Sequence, residues 1–182
     1  MQRCGTETDI EIDQMEVNIE EECLKILALY QPVAIDLRFI ITALKINNDL
    51  ERIGDLAVNL AERSTFLAGQ QKVDVPFDFD EMTEKTKSML RKSLEALVNM
   101  DSKQAYEVCA ADDEIDAMNS KMYLIVQDMI CTHSEQTKSL IHLLSASRHL
   151  ERVADHATNI AEDVIYMIEG KIIRHETENF KS

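Results

Sequence analysis

The sequence predicts an all-α protein made of tandem three-helix-bundle repeats, with the first helix of repeat 1 missing or truncated. Three observations carry this. Only two prolines (Pro32, Pro76) and four glycines interrupt 182 residues, so long helices are expected. No run alternates apolar and polar residues with the period of a strand. Residues 50–62, LERIGDLAVNLAE, return as LERVADHATNIAE at 150–162 with eight of thirteen letters unchanged, and DIEIDQM at 9–15 is answered by DDEIDAM at 112–118. A duplicated unit explains both echoes.

The elements follow in order. From about Asp9 to Leu29, the residues Ile12, Met15, Ile19, Cys23 and Ile26 form one apolar stripe at helical spacing. Tyr30-Gln31-Pro32 breaks that run, and proline suits the first turn of the next helix. The second helix carries Leu37, Ile40, Leu44, Ile53 and Leu60, and Gly69 is its expected left-handed cap. Residues 70–80 form the linker. Asp78, followed by Glu81, starts a helix that runs to about Val98. NMDS at 99–102 turns the chain into a helix from about Lys103 to Ile130. CTHSEQ turns it again, with Ser134 the candidate cap. The last helix reaches Glu169 and meets Gly170. The domains are therefore 1–69 (first repeat, two long helices), 70–80 (linker), 81–175 (second repeat, three helices) and 176–182 (tail).

The formal net charge is −15. Such a surface repels a phosphate backbone, so nucleic acid is excluded as a partner, and anionic lipid is disfavoured. A cation, or a basic partner surface, fits the sign. Cys4, Cys23, Cys109 and Cys131 form no C-x-x-C pair; Cys23 reads as a small core hydrophobe in a reducing compartment. MQRCGTETD is no signal peptide. The most apolar windows, such as VAIDLRFIITAL, are cut by charges well short of the ~20 residues of a membrane span. A cytoplasmic protein is expected, reaching the inner membrane only through partners.

The repeated segments place like charges on adjacent turns. With about 100° per residue and Glu51 at zero, Asp55, Asn59 and Glu62 fall within about a quarter-turn. Ile53, Ala57 and Leu60 point the other way, toward the core. Glu151, Asp155, Asn159 and Glu162 repeat this. The preceding helices carry Asp9 and Asp13, and Asp112 and Asp116. Short connections make antiparallel neighbours. A pivot near Gln31 sets residue i beside roughly 63 − i, and a pivot near His133 sets i beside roughly 266 − i. The acidic pairs then meet at equal height in both repeats. Each like-charge pair costs an isolated helix about 0.2–0.5 kcal/mol, and convergence adds repulsion or raises pKa values. An acidic stripe on one helix reads as a solvated face. Four pairs brought level twice over favour a bound cation, and oxygen donors suit Mg, Mn or Fe better than a cysteine-rich zinc site does. Arg52 and Arg152 could each neutralise one neighbour but not the whole set.

Other motifs carry less. His142, His149 and His156 recur every seven residues, about 10.5 Å apart along the axis, too far to share one ion. They read as packing or interface residues, with His156 the one occasional ligand. Met15, Met118 and Met122 lie on apolar stripes and read as core. There is no nucleotide-binding loop and no nucleophile–base constellation, so no enzyme is expected.

The stretches QPVAIDLR at 31–38, LERIGDLAVNLAE and LERVADHATNIAEDVIYMIEG at 150–170 resemble the PhoU family of phosphate-uptake regulators, over about Asp9 to His175. The resemblance implies paired three-helix bundles and multinuclear metal clusters, iron in the family, with Mg, Mn or Zn as alternatives. By position the ligands are Asp9, Asp13, Glu51 and Asp55 with Asn59 adjacent, and Asp112, Asp116, Glu151 and Asp155 with Asn159 adjacent. It implies a negative regulator of phosphate uptake and the phosphate-starvation response. The implied partners are the ATPase subunit of a phosphate ABC transporter and a sensor histidine kinase, with a homodimer or higher oligomer expected. Leu56 stands where the family usually has histidine, and Ala154 replaces the usual glycine. An accessory regulator of a different phosphate carrier is the alternative. A ferritin-like carboxylate protein needs Glu-x-x-His pairs; Ser139, Ala146 and Val153 stand where those glutamates would be.

Overall fold

A computed structural model describes the backbone of residues 5–173 and the side chains of residues 11–173. It holds five helices: α1 (Gly5–Tyr30), α2 (Ile35–Ala68), α3 (Phe79–Asn99), α4 (Ser102–Thr132) and α5 (Thr137–Glu169). Among the described residues there is no strand. α1 and α2 form the hairpin of the first repeat; α3, α4 and α5 form the bundle of the second. No described helix is long and apolar enough to cross a membrane.

The caps show how the sequence sets the boundaries. The Asp78 carboxylate accepts the Glu81 backbone N–H at 2.8 Å, and Asp101 accepts that of Gln104 at 3.1 Å. Each satisfies an orphan donor at a helix start. Asp78→Ala is expected to cost about 1 kcal/mol, readable by urea denaturation. Gly170 ends α5 in the left-handed region at φ 70°, its N–H donating to the Tyr166 carbonyl.

Three expected boundaries differ. Pro32 lies in the connection rather than in the first turn of α2, which starts at Ile35. Gln31 and Ala34 adopt φ values of 47° and 49°, so the tight reversal is made by strained residues around the proline. Ser134 does not cap α5. It opens a one-turn 3-10 helix, Ser134–Gln136, and its carbonyl accepts the Thr137 hydroxyl. Gly69 closes α2 at φ −89°, not left-handed, so its lack of a side chain is not what ends the helix.

α5 is the axis of the core. Its buried face, including Leu150, Ala154, Ala157, Ile160, Ala161 and Val164, packs with Met82 and Met89 of α3, Val108 and Ile115 of α4, and Ile46 of α2. A smaller cluster of Met122, Val126 and Leu140 lies beneath Phe77 and Phe79. Cys23 is buried, as its apolar stripe predicts. Met122 is buried and Met118 packs on the core, but Met15 and Ala57 are exposed, contrary to expectation. Their stripes are apolar, yet α5 packs on another face of α2, and α1 packs chiefly on α2.

α2 and α5 join the repeats along an antiparallel seam. Lys45 meets Asp163, Asp49 meets His156, and Phe66 stacks on His142 with ring centroids 3.8 Å apart. The heptad of histidines is thus the face of α5 turned toward α2.

Candidate metal centre

The hairpin register fixes which carboxylates meet. In the first repeat the Asn47 amide donates to the Glu16 carbonyl at 2.9 Å, the pairing that 63 − i predicts. In the second, the Ser147 hydroxyl donates to Asn119 at 2.9 Å, the pairing that 266 − i predicts. With both pivots correct, the acidic residues of neighbouring helices come level.

In the second repeat they converge. One oxygen from each of Asp112 and Asp116 on α4 and Asp155 on α5 lie within 4.8 Å of one another. Burial, then Asp116 and Asp155, push the Asp112 carboxyl up to about 6, against a hydrogen bond from Thr158. Burial, then Glu151 and Asp116, push Asp155 up to about 6. Asp116 and Glu151 are raised as well, burial first in each case. None of the four is in an ion pair with a lysine or arginine among the described residues. Arg152 and Arg148 lower Glu151 only through space. Anionic oxygens this close, with no cation of the protein between them, match the donor set of a hard metal ion.

The stability consequence has a definite sign. A carboxyl raised from about 4 to about 6 on folding gives the folded state extra protons across that window. The stabilisation is complete below about pH 4 and is lost as the pH rises through about 6. The metal-free protein is expected to gain on the order of 1 kcal/mol, after solvent screening, between pH 7.5 and 5 relative to its Asp112→Asn/Asp155→Asn variant. Thermal melts across that range read it out.

The first repeat is arranged differently. Burial raises the Glu51 carboxyl; Arg52 opposes it, and Asp55, Glu16 and Asp13 add to it, so these acids share one neighbourhood. Arg52, however, reaches Glu51 at 3.4 Å and Asp55 at 3.9 Å. The Asn59 amide folds back to donate to the Asp55 carbonyl. The side chain of Asp9 lies outside the described residues. The protein's own cation therefore sits where a second ion would compete for the same oxygens.

An open cleft of about 880 Å³ runs beside the second cluster, between α2, α4 and α5. Asp112 and Asp155 line it with Asn159 and Glu162, and α2 adds Lys45, Asn48 and Asp49. Asp49 accepts from Asn159 at 3.4 Å and shares a 2.7 Å hydrogen bond with His156 Nδ1. His156 is thus engaged by the seam. Asp49 and Thr158 were not foreseen. Thr158 lies three residues after Asp155, on the same helix face, so spacing could have found it. Asp49 is about 200° from Glu51 around α2, and only the docking of the two repeats brings it to the cleft. Cys109, half-buried nearby, has its thiol pushed up to about 12 by burial, then by Glu162 and Asp112.

A duplicated helical-bundle protein with paired acidic clusters on the helix faces is the class that this fold and site define. The model of the PhoU domain matches residues 6–64 and again 79–164. The phosphate-specific transport system accessory protein PhoU homolog of Clostridium acetobutylicum is 37% identical over 161 residues, covering 88% of this chain and 74% of that protein. PhoU homolog 1 of Thermotoga maritima is 38% identical over 166 residues, covering 91% and 72%. The crystal structure of PhoU from Pseudomonas aeruginosa superposes with a TM-score of 0.84 at 35% identity, over 92% of this chain and 80% of that one. The chain belongs to the PhoU family.

Proposed function

We propose that this chain is a non-enzymatic regulator accessory to phosphate transport, a cytoplasmic adaptor that restrains phosphate uptake and the phosphate-starvation response. Its partners are the ATPase subunit of a phosphate ABC transporter and a sensor histidine kinase, and it assembles as a homodimer or larger oligomer. The accessory role is supported by relatives named phosphate-specific transport system accessory proteins, which it matches over most of its length.

The observation that carries the metal part of the reading is the second cluster. Asp112, Asp116 and Asp155, with Glu151 beside them, would hold the metal, iron being the ion that the family resemblance implies. Bound there, the metal supplies positive charge that relieves carboxylate repulsion and ties α4 to α5. The first centre, with Asp13, Glu51 and Asp55 as the described ligands, would fill only by displacing Arg52.

Pull-down of the transporter ATPase and the kinase by the tagged protein, from phosphate-rich and phosphate-poor cells, tests the adaptor role. Capture of both is expected. Capture of neither under either condition defeats it.

A further inference from the structure

The two repeats hold equivalent side chains differently. Residue i of α1 corresponds to i + 103 in α4, and residue i of α2 to i + 100 in α5. Thr158 of α5 donates its hydroxyl to Asp112 of α4 at 3.2 Å, tying one carboxylate of the second cluster to the neighbouring helix. The first repeat has Val58 in that place, a side chain with no donor. Asn159 gives an amide N–H to Asp49 of α2 at 3.4 Å, on the same oxygen that meets His156 Nδ1 at 2.7 Å. Its counterpart Asn59 instead turns back on its own helix and donates to the Asp55 carbonyl at 2.8 Å. The residue that corresponds to Asp49 is His149, whose two ring nitrogens are buried without a hydrogen bond among the described residues.

These contacts fix orientation. A carboxylate only accepts hydrogen bonds, so the amide nitrogen of Asn159 must face Asp49 and the amide oxygen is turned away from it. Asn159 lines the cleft together with Asp112 and Asp155. Hydrogen bonds from outside a metal's ligand set hold the ligands in place, and losing one typically weakens metal binding about 10–100-fold. We propose that Thr158 and Asp49 are positioning residues of the second metal centre. Thr158 sets Asp112, and Asp49 sets Asn159 from the opposite repeat. The proposal rests on the metal reading given above. It makes the second centre the tighter of the two and ties its affinity to the docking of α2 on α5.

Calorimetric titration of Mn(II) into the metal-free full chain is the test, read at the tighter site. Thr158→Val is expected to weaken binding about tenfold. Thr158→Ser, which keeps the hydroxyl, should stay within about twofold of the wild type. Asp49→Ala should also cost about tenfold, and should cost nothing further in an Asn159→Ala background, because Asp49 acts through Asn159. Far-UV circular dichroism of each variant checks the fold, and a purely structural role would leave the Asp49 and Asn159 losses independent. Binding as tight as the wild type by Thr158→Val or Asp49→Ala, or losses at Asp49 and Asn159 that add in full, overturns the proposal while the metal site stands. A wild type that takes up neither Mn(II) nor, without oxygen, Fe(II) overturns it together with the reading beneath it.

Discussion

Replacing Asp112 and Asp155 together by asparagine is expected to raise the melting temperature of the metal-free protein at pH 7.5 while removing metal binding from the second centre. Both carboxyls are pushed up to about 6, so at pH 7.5 the folded state carries them charged against each other. Relief of about 1–2 kcal/mol, already discounted for exposure, corresponds to roughly 2–8 °C in a protein of this size. Metal is expected to act on only one of the two proteins. At a hundredfold excess over its Kd a bound ion stabilises the wild type by about 2.7 kcal/mol, and the variant should gain almost nothing. Melts with and without metal, beside elemental analysis of purified protein, separate the outcomes. Damage to the fold would lower stability in both states. An unchanged metal content, or an unchanged response to metal, sinks the centre. Glu51→Gln with Asp55→Asn is the companion variant, and its smaller effect on metal content would reflect the hold of Arg52 on the first pair.

The second large effect is expected at the seam between the repeats. Asp163 is 2% exposed, and Lys45 reaches it from α2 at 2.9 Å, with its ammonium also 5.5 Å above the Tyr166 ring. Lys45→Met keeps the stem but takes this cation from a buried carboxylate. Loss of one partner of a buried pair costs more than the pair contributes, because the desolvated charge stays behind. A loss of about 2–3 kcal/mol is expected, lowering the melting temperature by roughly 4–12 °C. Adding Asp163→Asn should recover more than half, since the neutral amide has no charge to compensate. Urea denaturation of the three proteins decides it. A loss below about 0.5 kcal/mol for Lys45→Met would show that the pair is energetically idle.

The sequence made the helices and their pairing legible because both are encoded locally. Asp78 and Gly170 mark ends by their own chemistry, and short connections force antiparallel neighbours, so Glu16 meets Asn47 and Asn119 meets Ser147 as spacing predicts. Where local chemistry is ambiguous the reading failed. Pro32 fits a first turn or a connection equally well, and Ser134 starts a 3-10 turn as readily as an α-helix. The second acidic cluster was found because its members share a period of four. Asp49 escaped because its place depends on how α2 docks on α5, which no periodicity within one helix contains. Met15 and Ala57 show the complementary limit. A stripe shows that a face is apolar; it does not show which of the described helices lies against it.

The cleft beside the second cluster takes its walls from both repeats, and this makes it a gauge of how they sit. Asp49 belongs to one half, Asp112 and Asp155 to the other, so any swing of α2 across α5 changes the electrostatic surroundings of the cluster as well as the packing of Ile46 against α5.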